Sequence, residues 1–355
     1  MIKILHSADW HLDSPLGLRD EAQARYLRET LAQVPGKIAA LCKEHGCDLV
    51  LLAGDLLDGA QASGAMESLK KSLSEMHVPV FITPGNHDFV GANSPWASDV
   101  FPENVHIFKK PAMESVALPQ LDCRVYGAGF RSMDCDSLLE NFSAQQEERY
   151  AIGILHGDPT QLSSPYNPIS TAQVAASNFD YLALGHIHKG GSFRAGKTLC
   201  AWPGCPMGRG YDEEGEKGVL IVTLDESVST RFVPLDTPRF YDLEVEAGED
   251  PKAALEAVLP PVGNSDFYRI TFTGTSEPLD LWKLYDPAFP HLLLRDKTVP
   301  PVDIWSSADT DTFEGMYFNR LKEALEGADE NTARQIRLAA QISRKILDGQ
   351  EVVLP

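Results

Sequence analysis

Residues 181–189, YLALGHIHK, form an apolar run that ends in two histidines separated by one residue. An ordinary loop also accepts two histidines, so the pattern alone leaves that reading open. In an extended segment, residues i and i+2 face the same side, and His186 and His188 can therefore point together. The neighbouring Gly185 lets the backbone turn sharply without a Cβ clash. The stretch is either a loop or half of a metal site at the end of a buried strand, and the remaining strand ends decide between them.

Four earlier apolar runs stop in the same way. Each is short, rich in Val, Ile and Leu, and ends at Gly, Asp or Asn, as strands do. The potential metal ligands and polar residues at their ends are Asp9 and His11, then Asp55 and Asp58, then Asn86, His87 and Asp88, and finally His156 and Asp158. Runs that are apolar throughout predict strands covered on both faces, which indicates an α/β layered sheet. Because ligands bind beyond the carboxyl ends of strands in such a sheet, we expect the five ends to converge.

The residue types at these ends determine the expected metal. Carboxylate, imidazole and amide ligands suit Mn²⁺, Fe²⁺ or Zn²⁺ rather than a soft thiolate site. Each motif alone is weak, since Gly-Asp is common turn chemistry and Asp9 is also suited to capping a helix. Together, in this order, they predict a dinuclear site, and the number of ligands allows two ions to share one carboxylate. We interpret the histidines outside these motifs as structural or surface residues, with His6 a candidate to pack beneath the site.

Composition and charge narrow the class of protein. The chain has 355 residues, 43% hydrophobic and 23% charged, which is typical of a globular protein. Its net charge of -20 should repel bulk DNA and anionic membranes, so a phosphate substrate must be bound locally by cations. The six cysteines form no CxxC pair and fit no structural zinc spacing, so we expect reduced, mostly buried thiols. Without a signal-peptide pattern or a run of about 18 apolar residues, the expected compartment is the cytoplasm.

Helical patterns alternate with the strands in the first two thirds of the chain. We predict helices over residues 22–45, with a kink or split at Pro35, over residues 63–76 and over residues 170–177. From Thr198 the segments KTLCAWPG, KGVLIVTLD and STRFVPLD are expected to form strands that complete a second sheet.

A boundary is expected near residues 236–239. The following segment predicts a small module in the order strand, helix, strand. From Asp311 the pattern is helical, with Asn331 as an N-cap and an apolar stripe of Leu338, Ile342 and Ile346. The predicted domains are residues 1–237, 238–308 and 309–355.

The ordered series DxH, GDxxD, GNHD, HGD and GHxH over residues 9–188 resembles the calcineurin-like metallophosphoesterase superfamily. The segments HSADWHLDSP, FDYLALGHIHK and AWPGCPMGRGYDEEGEKG are similar to its SbcD/YhaO-like branch of DNA repair exonucleases. Asp13, where SbcD-type proteins usually have glycine, favours the YhaO side. The resemblance implies a four-layer α-β-β-α sandwich with a small α+β C-terminal capping domain and a helical tail.

The resemblance also implies a role for each motif residue. One ion would be held by Asp9, His11, Asp55 and His188. The other would be held by Asp55, Asn86, His156 and His186, so that Asp55 bridges the two. His87 matches the catalytic histidine, which protonates the leaving oxygen or steadies the phosphate, and Asp88 would orient it. Asp58 occupies the last position of GDxxD and is a further catalytic candidate.

The implied activity is that of a metal-dependent phosphodiesterase, a DNA exonuclease or endonuclease in DNA repair. Two divalent ions, Mn²⁺ by expectation and Fe, Zn or Mg as alternatives, would activate a water and clamp the phosphate. The alternative is a phosphohydrolase for a nucleotide or phosphorylated metabolite. A protein that has lost catalysis is disfavoured because every ligand position is present. The implied partners are a coiled-coil ATPase of the SbcC/YhaN type, with residues 311–350 as a candidate docking element, and a second copy of the chain in a homodimer.

Overall fold

The computed structural model describes residues 1–16, 20–59, 65–98, 100–301 and 303–349. Within these residues the strands are β1 (Ile2–Ser7), β2 (Leu49–Leu52), β3 (Val80–Ile82), β4 (Val105–Ile107), β5 (Glu114–Leu118), β6 (Cys123–Gly127), β7 (Tyr150–His156), β8 (Tyr181–Gly185), β9 (Lys189–Ala195), β10 (Thr198–Gly204), β11 (Gly218–Leu224), β12 (Val228–Pro234), β13 (Phe240–Glu246), β14 (Phe267–Thr273) and β15 (Leu292–Asp296). The helices are α1 (Glu21–Leu31), α2 (Val34–Glu44), α3 (Ala65–Glu75), α4 (Pro95–Ser98), α5 (Thr171–Ala176), α6 (Pro251–Val258), α7 (Leu281–Leu284), α8 (Phe313–Leu325) and α9 (Glu330–Leu347).

Two mixed sheets of six strands each position the candidate site. The first has the order β12-β11-β1-β2-β3-β4. Strands β1 to β4 are parallel, β11 runs antiparallel to β1, and β12 runs antiparallel to β11. The second has the order β5-β6-β7-β8-β10-β9, in which β6, β7, β8 and β10 are parallel. Parallel neighbours end at the same edge of their sheet. The five motif-bearing strands β1, β2, β3, β7 and β8 therefore place their polar ends at one edge of each sheet.

Alternation along the strands builds the core on both faces of each sheet. In β2, Leu49 and Leu51 pack between the two sheets together with Ile152 of β7. The intervening Val50 and Leu52 pack on the other face, in a cluster that includes apolar residues of α1, α2 and α3. A third cluster, which includes Val174 of α5, covers the outer face of the second sheet. The α/β layered sheet predicted from the continuous apolar runs is confirmed.

The predicted helices of this region are confirmed with small shifts. The segment over residues 22–45 is split, because α1 ends at Leu31 and α2 starts at Val34 with Pro35 in its first turn. Proline is well accommodated there, since an N–H in the first helical turn has no partner within the helix. Ser170 and Gln173 form a capping box at the start of α5. The first residues of the segment predicted over 63–76 lie outside the described residues, and its described part is α3.

The strands after Thr198 divide between the two sheets. β10 pairs with β8 in the second sheet, as expected. β11 instead pairs antiparallel with β1, with Ile4 opposite Val222, and β12 pairs with β11. The expectation that all three complete one second sheet is therefore wrong. Their apolar patterns fit a strand in either sheet, and the pairing is decided by contacts about 220 positions away in sequence.

His6 of β1 is fully buried between the sheets. Its Nε2 lies 3.0 Å from the Leu184 carbonyl oxygen and its Nδ1 lies 2.8 Å from the Tyr181 hydroxyl. A carbonyl only accepts, so Nε2 carries the proton and the hydroxyl donates to Nδ1. Burial lowers the pKa of His6 to about 3, and the ring stays neutral. The interpretation of His6 as a structural residue is confirmed.

The C-terminal part shows the predicted order of strand, helix and strand in β13, α6 and β14, with β15 as a third strand of this sheet. The tail is helical in α8 and α9, where Ala340 packs with Phe318. The N-cap of α9 is Asp329 rather than Asn331, because its carboxylate accepts the N–H groups of Asn331 and Thr332 at 3.0 Å.

By contact density the chain divides into two compact units, Met1–Leu243 with Val262–Ile270 and Asp286–Leu293, and Glu244–Pro261 with Thr271–Tyr285 and Leu294–Pro355. The predicted boundaries after residues 237 and 308 stay predictions. All six cysteines are free thiols, and five of them are buried, as expected. In the described part of the chain, no helix combines the length and the apolar composition that a bilayer crossing requires.

Gly185 ends β8 where the backbones of the two sheets come close. A Cβ there would lie 2.0 Å from the Ala53 carbonyl oxygen and 2.8 Å from the Ala8 Cβ. We expect Gly185→Ala to lower the free energy of unfolding by about 1–3 kcal/mol, because the overlap forces backbone shifts. Gly36→Ala in α2 is the control, since apart from the backbone of its own helix nothing lies within 4 Å of a Cβ there. Thermal denaturation in EDTA measures both, and equal stability of the two variants would contradict the close approach.

Candidate metal centre

The turns that follow the strands hold several motif residues in the left-handed region of backbone conformation. The φ angles are 55° at Asp9, 47° at His11, 50° at Asp55 and 100° at His186. Such conformations cost a non-glycine residue about 1–3 kcal/mol and persist only where the surroundings dictate them. Here the Asp9 and His11 N–H groups donate to the carbonyls of Gly54 and Asp55 at 3.0 and 2.9 Å. The left-handed conformations at Asp9 and His11 are therefore held by hydrogen bonds to the turn after β2.

His156, Asn86 and His186 form one group of acceptors. The Nδ1 of His156 lies 2.9 Å from the Ala53 carbonyl oxygen, which can only accept, so Nδ1 carries the proton. Its Nε2 faces the Asn86 Oδ1 at 2.9 Å and the Asp55 Oδ2 at 3.3 Å. The Nδ1 of His186 lies 3.2 Å from the same Asn86 oxygen. Carboxylate and amide oxygens do not donate, so a cation or an added proton has to satisfy the Nε2 of His156.

His11, His188 and Asp9 form the second group. The Nε2 atoms of His11 and His188 lie 3.2 Å apart, and a carboxylate oxygen of Asp9 lies within 4.8 Å of both rings' ligand atoms. The Asp55 Oδ2 lies 3.8 Å from the His11 Nε2, in addition to its contact with the first group. Asp55 therefore faces both groups, and an Asp9 carboxylate oxygen also lies 4.0 Å from the His156 Nδ1. The donor set fits two divalent cations that share Asp55.

The pKa shifts of the buried residues also indicate that this site requires positive charge. Burial works against the charged form of His156, but the carboxylates of Asp55 and Asp9 raise its pKa to about 9. Burial likewise opposes ionisation of Asp55, yet His156 and His11 hold the pKa of its carboxyl well below the usual range. Without a metal ion, a proton on imidazole supplies the positive charge that the carboxylates require.

His87 and Asp58 form a pair beside these groups. The Nδ1 of His87 lies 3.1 Å from the Asp58 Oδ1, and 46% of the His87 side chain is exposed. The hydrogen bond to Asp58 raises the pKa of His87, which favours the protonated ring. His87, Asp58 and His11 place their ligand atoms within 4.8 Å of one another. The exposed imidazole lies at the rim of the metal centre and can meet a substrate.

The expectation that Asp88 orients His87 is wrong. The buried Asp88 carboxylate accepts the N–H groups of Gly85 at 2.7 Å and Leu56 at 2.9 Å, and those of Asp55 and Leu57 at 3.3 Å. Burial and the nearby Asp55 raise the pKa of Asp88 to about 7. Asp88 thus ties together the turns after β2 and β3, while the carboxylate that orients His87 is Asp58. Proximity in sequence was misleading, because the side chain of Asp88 points back under the turn.

Two residues of the site carry no signal that identifies them in the sequence. The Glu213 Oε1 lies 2.6 Å from the Nδ1 of His188, and the Arg209 Nη2 lies 2.9 Å from the same oxygen. The segment 202–218 suggested a family resemblance, but its acidic residues cannot be ranked by pattern.

Asp158, the polar residue expected at the end of β7, accepts the Thr160 N–H at 2.7 Å and stabilises the turn after that strand.

Comparison with known proteins agrees with this geometry. The profile of the calcineurin-like phosphoesterase family matches residues 2–190. Metallophosphoesterase YhaO of Bacillus subtilis is 35% identical over 235 residues, which are 62% of this chain and 57% of that protein, so the match spans less than two thirds of YhaO. The SbcD component of nuclease SbcCD from Staphylococcus epidermidis is 22% identical over 94% of this chain and 98% of that protein. The protein of the same name from Bacillus subtilis is 25% identical over 62% of this chain and 66% of that protein.

Removal of the shared carboxylate should weaken both ion sites. We expect the parent to bind two equivalents of Mn²⁺ and Asp55→Asn to lose both at the same free concentration, because one negative charge faces both groups. Glu140→Gln, which removes an exposed carboxylate, should bind as the parent does. Elemental analysis after equilibrium dialysis measures the bound metal. Two equivalents retained by Asp55→Asn would contradict a shared ligand.

Proposed function

Since the chain belongs to the calcineurin-like phosphoesterase family, we propose that it hydrolyses phosphodiester bonds in DNA, in the cytoplasm, as the nuclease component of a repair assembly. As a member of this family, the protein is a metal-dependent hydrolase of phosphoester bonds. The observation that carries the proposal is the pair of acceptor groups on either side of Asp55, beside an exposed imidazole. DNA as the substrate is supported by the relatives named as the SbcD component of nuclease SbcCD, one of which aligns over 94% of the chain.

The proposed ligand division follows the two groups. One ion is held by Asp9, His11, Asp55 and His188, and the other by Asp55, Asn86, His156 and His186. The 3.2 Å between the His11 and His188 Nε2 atoms supports the first set, and the contacts at 2.9 and 3.2 Å to the Asn86 Oδ1 support the second. When bound, the ions polarise the phosphate and lower the pKa of a water molecule. Mn²⁺ is the proposed metal, with Fe, Zn and Mg as alternatives.

The chain's own residues orient the substrate and move a proton. Asp58 takes the Nδ1 side of His87, and the other ring nitrogen is then available to the substrate. The hydrogen bond to Asp58 raises the pKa of His87, which favours a protonated ring that can pass its proton to the leaving oxygen. Because the metal centre is locally cationic, it can hold a phosphodiester despite the net charge of -20.

Activity on DNA tests the proposal directly. We expect Mn²⁺-dependent cleavage of linear DNA that EDTA abolishes, and a kcat for His87→Asn lower by about 10²–10⁴-fold at unchanged metal content. His77→Asn is the matched control, an exposed histidine whose positive φ of 54° asparagine tolerates. Parental turnover by His87→Asn would contradict the role of this residue. Faster hydrolysis of a small chromogenic phosphodiester than of DNA would instead favour the small-molecule alternative.

We also propose residues 238–308 as a capping domain and residues 309–355 as a helical tail, in which residues 311–350 dock a coiled-coil ATPase. The relatives are named as part of the nuclease SbcCD, which supports an assembly of more than one kind of chain. On α9, Ala340 packs with Phe318 of α8, whereas Leu338 and Ile346 are 41% and 62% exposed. Of the predicted stripe, the structure therefore leaves two members available to a partner.

Charges on this exposed face should prevent docking without disturbing the pairing of α8 with α9. We expect the double variant Leu338→Glu and Ile346→Glu to lose co-purification with the cell's coiled-coil ATPase while it retains hydrolysis of a small phosphodiester. Gln341→Glu, an exposed position on the same helix that lies to the side of this stripe, is the control and should still bind. If the double variant still co-purifies with the ATPase, docking through this face is wrong.

A further inference from the structure

The segment after β10 holds His188 at several points. The Glu213 carboxylate lies 2.6 Å from the Nδ1 of His188. The carbonyl oxygen of His188 accepts the Cys205 N–H at 3.3 Å and lies 3.5 Å from the Lys217 Nζ. The segment thus contacts both the side chain and the backbone of one residue, although residues 205–217 supply none of the proposed metal ligands.

The contact with Glu213 selects one tautomer of His188. A carboxylate only accepts, so the proton of the imidazole lies on Nδ1. The Nε2 then presents its lone pair, and it is this atom that faces the Nε2 of His11 at 3.2 Å. A carboxylate on the far nitrogen of a metal-bound histidine fixes the ring and makes it a stronger ligand.

Arg209 in turn fixes Glu213. The Arg209 backbone N–H donates to the Glu213 Oε2 at 2.8 Å, and its Nη2 donates to the Oε1 at 2.9 Å. Glu213 is 8% exposed, and a buried carboxylate is costly unless it is paired and hydrogen-bonded. The carboxylate is therefore paired with the guanidinium and held in one orientation.

We propose that Glu213, clamped by Arg209, is a positioning residue that sets the tautomer and the direction of His188 toward its metal ion. The inference rests on the proposed role of His188 as a metal ligand. Neighbouring Glu214 is exposed, and it lacks this contact with His188 among the described residues. One of two adjacent glutamates therefore belongs to the metal centre and the other to the surface.

A purely structural brace and a positioning residue predict different results. If Glu213 only stabilises the turn over residues 209–213, its replacement lowers the melting temperature in EDTA and leaves metal affinity unchanged in the folded protein. If it positions His188, replacement weakens one of the two metal sites selectively. Glutamine is the informative substitution, because its amide can donate to Nδ1 and so favour the tautomer whose Nε2 carries a proton.

The experiment compares Glu213→Gln with Glu214→Gln, the same substitution one position along. Isothermal titration of the metal-free proteins with Mn²⁺ should show one of two sites weakened by about 10–100-fold in Glu213→Gln, with the other site unchanged. Glu214→Gln should titrate as the parent does. Parental affinity at both sites in folded Glu213→Gln would overturn the proposal.

Arg209→Lys keeps the positive charge but loses the planar guanidinium. It is the variant to titrate if Glu213→Gln does not fold. It should weaken the same single site to a smaller extent, and an unchanged titration of this variant would also overturn the proposal. In ¹⁵N spectra of the metal-free proteins, His188 should carry its proton on Nδ1 in the parent and lose this preference in Glu213→Gln. A retained preference would count against the inference.

DNA hydrolysis is not a readout here, so a wrong substrate leaves these tests valid. A parent protein that binds no divalent metal would overturn the metal centre together with this inference. A parent that binds two ions, with Glu213→Gln binding equally well, would overturn the inference alone.

Discussion

The Asp55 carboxylate lies between two groups of potential metal ligands, with its Oδ1 accepting the His87 N–H at 2.9 Å and its Oδ2 facing two imidazole nitrogens. Its Oδ2 faces the His156 Nε2 at 3.3 Å and the His11 Nε2 at 3.8 Å, and each ring leads into its own group of acceptors. Such an arrangement is unfavourable in a buried site unless positive charge is added. Metal binding is therefore what makes this end of the sandwich electrostatically balanced, and the surrounding backbone is organised to present these atoms.

The sandwich provides the geometry that this convergence requires. Parallel strands bring their carboxyl ends to one edge of each sheet, and two sheets face one another across a shared core. The close approach at Gly185 and the left-handed turns at Asp9 and Asp55 aim the side chains into the gap. Asp88 secures this arrangement, since its carboxylate accepts N–H groups from the turns after β2 and β3. The strain in the turns is offset by the apolar packing behind them.

The sequence was sufficient to predict the features that depend on residues close together in the chain. Strand period and turn residues are local properties of a sequence. They therefore specify both the strands and the candidate ligands, as in the spacing of His186 and His188 and in the polar ends of β1, β2, β3 and β7. The α/β class followed from runs that are apolar on both faces. Residue pattern and strand topology together therefore locate the site.

Strand partners and side-chain directions that depend on distant parts of the chain could not be predicted in the same way. β11 pairs with β1 rather than with β10, since partner choice depends on the whole fold and not on the apolar pattern of the strand. Asp58 rather than Asp88 orients His87, and Glu213 rather than Glu214 contacts His188. The sequence shows that a carboxylate is present at each position but not the direction in which it points. Side-chain direction in irregular turns is set by tertiary contacts, which a single sequence does not display.

The central claim is that two cations share Asp55 at the carboxyl ends of the five strands. Anomalous X-ray diffraction from crystals grown with Mn²⁺ tests it most directly. The expected result is two anomalous peaks about 3.5–4 Å apart, with an Asp55 carboxylate oxygen between them and the His11 and His156 rings on opposite sides. A single peak, or peaks that leave Asp55 without a metal contact, would contradict it.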